Sequence, residues 1–252
     1  MRLLPLPRPR RAGGVSVAVD GATARHGPSV DLDRRLQPIW DALADRFGPQ
    51  AWWPAAQAFE MIAGALLVQN TAWANAAAAL ANLEHAQALS VAGILSIPPL
   101  ALEDLVRPSG YYRQKAAKLR AFAEHVRDHH HGDLDALLGL PMERLRAELL
   151  AIWGIGPEPA DAIIFYAARQ PSFGVDGYTR RVLARVGVIP ADVPAGRLRA
   201  ALMQAVPPDA ATYGERHAWL VMAGRRHCRK APLCAECPLL PLCRHGSGVL
   251  LR

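Results

Sequence analysis

The sequence predicts an all-α protein, and three observations predict it. Apolar residues recur at three- and four-residue steps along most of the chain, two-residue alternation is essentially absent, and Pro, Gly or polar breaks separate each periodic run from the next. The first run, over residues 31–47, sets Leu32, Leu36, Ile39, Trp40, Leu43 and Phe47 on one face and stops at Gly48-Pro49. Residues 59–67 and the alanine-rich 72–83 give two more helices, and 91–97, 101–106, 114–126 and 134–138 follow after short breaks. Helices over 142–152, 159–168, 178–186, 197–205 and 213–223 complete the layout. Ahead of them, residues 1–30 are rich in Pro, Arg and Gly with no sustained period, which reads as a flexible basic arm without the apolar core of a signal peptide.

A chain of 252 residues, 51% hydrophobic and 20% charged, can bury a full core as one domain or two small ones, which excludes a disordered polypeptide. No apolar run approaches the roughly 20 residues of a bilayer span, so the sequence predicts no membrane partner, a cytoplasmic location at the nucleoid, and a monomer. The net charge of +7 is unevenly spread. Residues 1–30 carry five Arg and one Asp (+4), residues 31–179 carry 12 basic and 17 acidic groups (−5), and residues 180–252 carry 12 basic and four acidic groups (+8). A basic C-terminal third on an acidic body is the asymmetry expected where one face meets phosphate. Only three of the basic residues are lysines, Lys115, Lys118 and Lys230.

Between two amphipathic helices lies Trp153-Gly154-Ile155-Gly156-Pro157-Glu158. Two glycines flanking one apolar residue allow a tight turn in which Ile155 plugs the gap between the helices, and backbone N–H groups of Gly154, Ile155, Gly156 and Glu158 face outward, where they suit a phosphate. Such contacts position a nucleic-acid backbone without reading its sequence. Further on, Val175-Asp176-Gly177-Tyr178-Thr179-Arg180-Arg181 puts an acidic residue just ahead of a helix that opens with basic residues. The four cysteines, Cys228, Cys234, Cys237 and Cys243, fall in the spacing C-x(5)-C-x(2)-C-x(5)-C. Four thiols and no others in a reducing compartment argue for a metal or iron–sulfur site over two disulfides, and tetrahedral zinc and an iron–sulfur cluster both suit them.

Gly-Ile-Gly, then Val-Asp and Arg180, then four cysteines: over residues 31–243 this pattern resembles the helix-hairpin-helix DNA glycosylases of the endonuclease III kind. The resemblance implies a six-helix subdomain carrying the hairpin over 49–170, a second helical subdomain made of 31–48 and 171–252 with the cysteine loop, and a DNA cleft between them. It implies that Asp176 is the catalytic aspartate, stabilising positive charge on the deoxyribose as the base leaves, and that Arg180 joins the hairpin in holding DNA. It implies a 4Fe–4S cluster on the four cysteines, although the first interval is one residue shorter than usual and zinc stays open. Strand-cutting members of this family attack the sugar with a lysine on the hairpin; the aligned residue here is Glu158, and no lysine neighbours the hairpin in sequence, which predicts a monofunctional enzyme.

Trp52-Trp53-Pro54, Val68-Gln69-Asn70-Thr71 and Arg107-Pro108-Ser109-Gly110-Tyr111-Tyr112 are similar to the bacterial 3-methyladenine glycosylase branch. That likeness implies an alkylated base in double-stranded DNA as substrate, with Trp52, Trp53 and Tyr111 stacking on its positive charge and Gln69 filling the gap left by the flipped nucleotide. The alternatives are a glycosylase for oxidised pyrimidine, uracil or mismatched thymine, and a DNA binder that has lost the chemistry. Trp40, Trp73, Trp153 and Trp219 are expected in packing, and His129-His130-His131 in an exposed loop.

Overall fold

The computed structural model describes residues 28–50 and 57–250. The all-α expectation holds, and among the described residues there is no strand. The helices are α1 (Pro28–Phe47), α2 (Ala58–Leu67), α3 (Trp73–His85), α4 (Val91–Ser96), α5 (Pro99–Val106), α6 (Tyr112–His130) and α7 (Leu134–Leu138), then α8 (Met142–Ala151), α9 (Pro157–Ala162), α10 (Gly177–Val186), α11 (Ala195–Ala205), α12 (Ala210–Arg226) and α13 (Arg244–Leu250). Residues 1–27 of the expected arm and the Trp52-Trp53 pair lie outside the described residues, whereas residues 28–30, also expected in the arm, open α1.

Two separate sets of buried apolar side chains hold these helices. One gathers α2 to α9, with Ile62, Leu66, Leu83, Leu119, Phe122 and Ile164 fully buried. The other gathers α1, α10, α11 and α12 around Leu36, Trp40, Leu43, Phe173, Leu183 and Leu202. Each fully buried Leu or Ile contributes about 1.5–3 kcal/mol, so both sets carry substantial cores. The chain crosses from the first to the second between α9 and α10. A buried polar knot sits at that crossing. Asp161, 2% exposed, accepts from Arg146 Nε of α8 at 2.8 Å and from Ser172 Oγ at 2.9 Å, while Arg199 Nε of α11 stands 3.0 Å away. Removing one partner of such a network leaves buried charge uncompensated.

Two expected helices depart from the layout, and α13 was not expected at all. The helix expected over 159–168 is α only through Ala162; Ile163–Ala167 widens to a π turn, with Ala168 N–H donating to Ile163 O. Wide turns of this kind re-aim side chains, and this one sets Phe165 and Tyr166 against His217 of α12. The helix expected to end at 126 continues through His130, because the chain turns only at His131 and Gly132, both with positive φ. His129 and His131 are exposed, but His130 is a half-buried helical residue and not part of a loop.

Candidate functional site

Asp176 owes its position to helix capping. It precedes α10 in extended conformation, and its Oδ1 accepts the Thr179 N–H at 2.6 Å, satisfying one of the N–H groups that a helix start leaves open. The side chain is 7% exposed. Its Oδ2 has no hydrogen-bond partner among the described residues; the nearest ring nitrogen, His217 Nε2, is 3.7 Å away. His217 is buried, and burial lowers its pKa below the usual imidazole range against the opposing pull of Asp176 and Asp161. It is therefore a neutral ring at physiological pH. Gly174 permits this arrangement: a Cβ there would lie 2.9 Å from Phe165 and 3.1 Å from His217.

The hairpin faces the same region. Gly154 adopts φ +84°, and a Cβ on it would meet Lys118 Cγ at 2.5 Å, so the turn needs glycine for backbone shape and for close approach. Ile155 is 4% exposed and packs into the first core as the plug between helices. Gly156, in extended conformation, precedes α9. Pro157 and Pro159 supply no N–H, and the Ile155 N–H is taken by Ile152 O at 3.1 Å. The outward donors of the turn therefore reduce to Gly154, Gly156 and Glu158, fewer than the sequence pattern suggests. Burial, and then the Asp176 carboxylate, push the Glu158 carboxyl up to about 7, although more than a third of the residue's surface is open. The Asp176 carboxylate is thus close enough to Glu158 to oppose its ionisation.

An open groove of about 650 Å³ runs along the hairpin, lined by Gln69, Lys118, Trp153, Gly154, Gly156 and Glu158 among others. Gln69 is where the sequence placed it, after the apolar α2, and its Oε1 accepts from Lys118 Nζ at 2.7 Å. Two residues of this groove were missed by sequence reasoning. Trp153, expected in packing, is 61% exposed on the hairpin, because the turn carries it off the end of α8 and away from the first core. Lys118 lies against the hairpin although it is remote in sequence; the α6 periodicity, which sets Ala116, Leu119 and Phe122 inward, is the signal that could have placed it on a partly open face. Tyr111 is 68% exposed at φ +48° before α6 and does not line this groove. Arg180 is half-buried, with its Nε enclosed and without a hydrogen-bond partner among the described residues.

The cysteine loop follows α12 and closes on α13. Burial raises the Cys237 thiol, and Cys228, Cys243 and Cys234 add to that rise. Gly246 N–H donates to Cys243 Sγ at 3.3 Å, and Arg185 donates to Cys228 Sγ at 3.5 Å. An all-sulfur donor set receiving N–H bonds fits a thiolate-held group. The loop is tied to α10: Arg181 Nε donates to Cys228 O at 2.6 Å, and Arg185 reaches Arg229 O at 2.6 Å and Lys230 O at 3.3 Å.

Residues 63–208 match the HhH-GPD superfamily base excision DNA repair protein, and the chain belongs to that superfamily. A protein of Methanocaldococcus jannaschii provisionally named a DNA repair glycosylase is 36% identical over 210 residues, covering 82% of this chain and 95% of its own. Among solved structures, a non-covalent endonuclease III–DNA complex superposes with a TM-score of 0.75 at 25% identity, over 87% of this chain and 99% of the other. The Helicobacter pylori 3-methyladenine DNA glycosylase bound to 1,N6-ethenoadenine superposes with a TM-score of 0.64 at 26% identity, over 79% of this chain and 97% of the other.

Proposed function

We propose that this protein is a monofunctional DNA glycosylase that flips an alkylated purine of the 3-methyladenine type out of double-stranded DNA and hydrolyses its bond to the sugar. The observation that carries this reading is the Asp176 carboxylate, held by Thr179 through one oxygen while the other has no hydrogen-bond partner among the described residues. As the base departs, positive charge develops on the deoxyribose, and a fixed carboxylate oxygen stabilises it and orients the attacking water. An alkylated purine already carries positive charge and leaves readily, so no strong general acid is needed. Gln69 fills the vacated stack, the Gly154, Gly156 and Glu158 N–H groups take backbone phosphates, and Arg180 adds charge beside Asp176. Trp52, Trp53 and Tyr111 are proposed to face the cationic base by cation–π attraction, supported by the likeness to the Helicobacter enzyme.

Monofunctional chemistry is supported by the surroundings of the lysines. The hairpin offers Glu158 where an amine would be required, Lys115 is 3% exposed and hydrogen-bonded to Ser109 O, and the Lys118 amine is engaged by Gln69. A second reading rests on Lys118, which lies on the groove and would become a Schiff-base nucleophile if DNA displaced Gln69. For the cofactor, we propose a 4Fe–4S cluster on Cys228, Cys234, Cys237 and Cys243, shaping the basic loop of Arg225, Arg226, Arg229 and Lys230 for phosphate. The all-cysteine donor set and the likeness to the endonuclease III structure support this cofactor. The test is chromatography of bases freed from methylated DNA, with borohydride trapping in parallel. Free 3-methyladenine without a trapped adduct is expected; an adduct abolished by Lys118→Met would establish the second reading, and DNA binding without base release would overturn the enzyme reading.

A further inference from the structure

The histidines near the end of α6 carry an arrangement that base excision does not use. Glu148 of α8 meets two of them at one oxygen: His125 Nε2 is 2.9 Å from Oε1, and His130 Nε2 contacts the same atom. These two ring nitrogens and the carboxylate oxygen all lie within 4.8 Å of one another. The three side chains are 17%, 12% and 20% exposed, so they are held by packing yet reachable from solvent. Burial would lift the Glu148 carboxyl, but the hydrogen bonds from His130 and His125 overcome it and keep it below the usual carboxylate range, ionised at neutral pH.

From this geometry we infer that His125, His130 and Glu148 form a site for one divalent transition-metal ion of the zinc class. Two imidazole nitrogens and one carboxylate oxygen are the donor set such ions prefer, and bonds of about 2.0–2.2 Å place ligand atoms about 3.3 Å apart in a tetrahedron. Reaching that spacing needs only small shifts of side chains that already meet between α6 and α8. The fourth position is open to solvent or to His129, whose ring centroid is 4.5 Å from that of His125. The ion would join α6, which carries Lys118 on the groove, to α8, which leads directly into the hairpin. It would act as a structural staple behind the DNA-gripping turn, with no part in the chemistry at Asp176. The site is independent of the glycosylase reading.

The experiment uses the purified full-length protein with its cysteine site as isolated, treated with a mild chelator and titrated calorimetrically with zinc chloride. Cobalt substitution follows, since nitrogen–oxygen ligation gives visible bands without the near-ultraviolet thiolate absorption that the cysteines would add. One equivalent of zinc is expected at this site. Its affinity should fall at least about tenfold in His125→Ala and in His130→Gln, since even outer-shell changes commonly cost 10- to 100-fold. His130→Gln keeps a donor for Glu148, so it preserves the hydrogen-bonded clamp while removing a ligand, and a normal circular dichroism spectrum shows that it folds. Unchanged stoichiometry and affinity in both variants, or cobalt spectra with thiolate bands only, would overturn the proposal.

Discussion

The starts of α10 and α12 are built by the same local device. Asp176 precedes Gly177-Tyr178-Thr179 and accepts the Thr179 N–H at 2.6 Å; Asp209 precedes Ala210-Ala211-Thr212 and accepts the Thr212 N–H at 2.7 Å. The two caps satisfy the same open donors and differ in what surrounds them. Asp209 is exposed, and its hydrogen bonds with Thr212 hold its carboxyl below the usual range. Asp176 is buried between a neutral His217 and a Glu158 carboxyl that it pushes upward. Capping fixes both carboxylates in place; neighbours from two cores surround Asp176 alone, and on them rests the role proposed for it.

The sharpest way to break this comparison is to neutralise each aspartate without removing its cap. Asparagine caps about as well as aspartate, so Asp176→Asn should fold normally yet lose about 10²–10⁴-fold in single-turnover base release. Asp209→Asn should leave that rate within twofold. Equal losses in the two variants would make Asp176 a structural cap and nothing more.

A smaller effect concerns the acid facing Asp176. Because the Glu158 pKa rises from 4.5 to about 7 on folding, the folded protein holds this proton more tightly than the unfolded chain. Its contribution is fully present below about pH 4.5 and is lost as pH rises through about 7. Glu158→Gln should therefore gain Tm relative to wild type between pH 5 and pH 8. Solvent screening at this partly open site keeps the gain under about 1 kcal/mol, or about 2–4 °C in Tm. Parallel Tm–pH profiles for the two proteins would show that folding does not raise the Glu158 carboxyl, whether through burial or through Asp176.

The smallest effect belongs to the exposed cap. Asp209→Ala should lower Tm slightly at pH 7, and the difference should vanish as pH falls through the depressed Asp209 pKa, since a carboxyl held low in the folded state stabilises only while ionised. A difference that persists in acid would assign the effect to helix propensity instead.

The same pair shows what a sequence can carry. Helices were legible because burial imposes a three-to-four-residue period on one chain, and the turn at Gly154-Ile155-Gly156 was legible because its first position, at positive φ, calls for glycine. Asp176 stood out through the motif around it, whereas the helix after Asp209 was expected only from residue 213 and begins at Ala210. The hidden part is whatever depends on which helices become neighbours. Lys118 meets Gly154 only because α6 passes behind the hairpin, and Trp153 is exposed only because the turn swings it off α8. His130 became structural by meeting Glu148, a contact that three consecutive histidines cannot announce.

Helix α10 has Asp176 at its first end and, along its length, Arg181 and Arg185 bonded to the cysteine loop. Ten residues span about 15 Å of stiff rod. Disturbance at the sulfurs reaches the carboxylate through that rod without crossing any flexible segment. Under the proposed function, loss of the group proposed on these cysteines would slow base release at a distance, by misaligning an acid that is itself chemically intact.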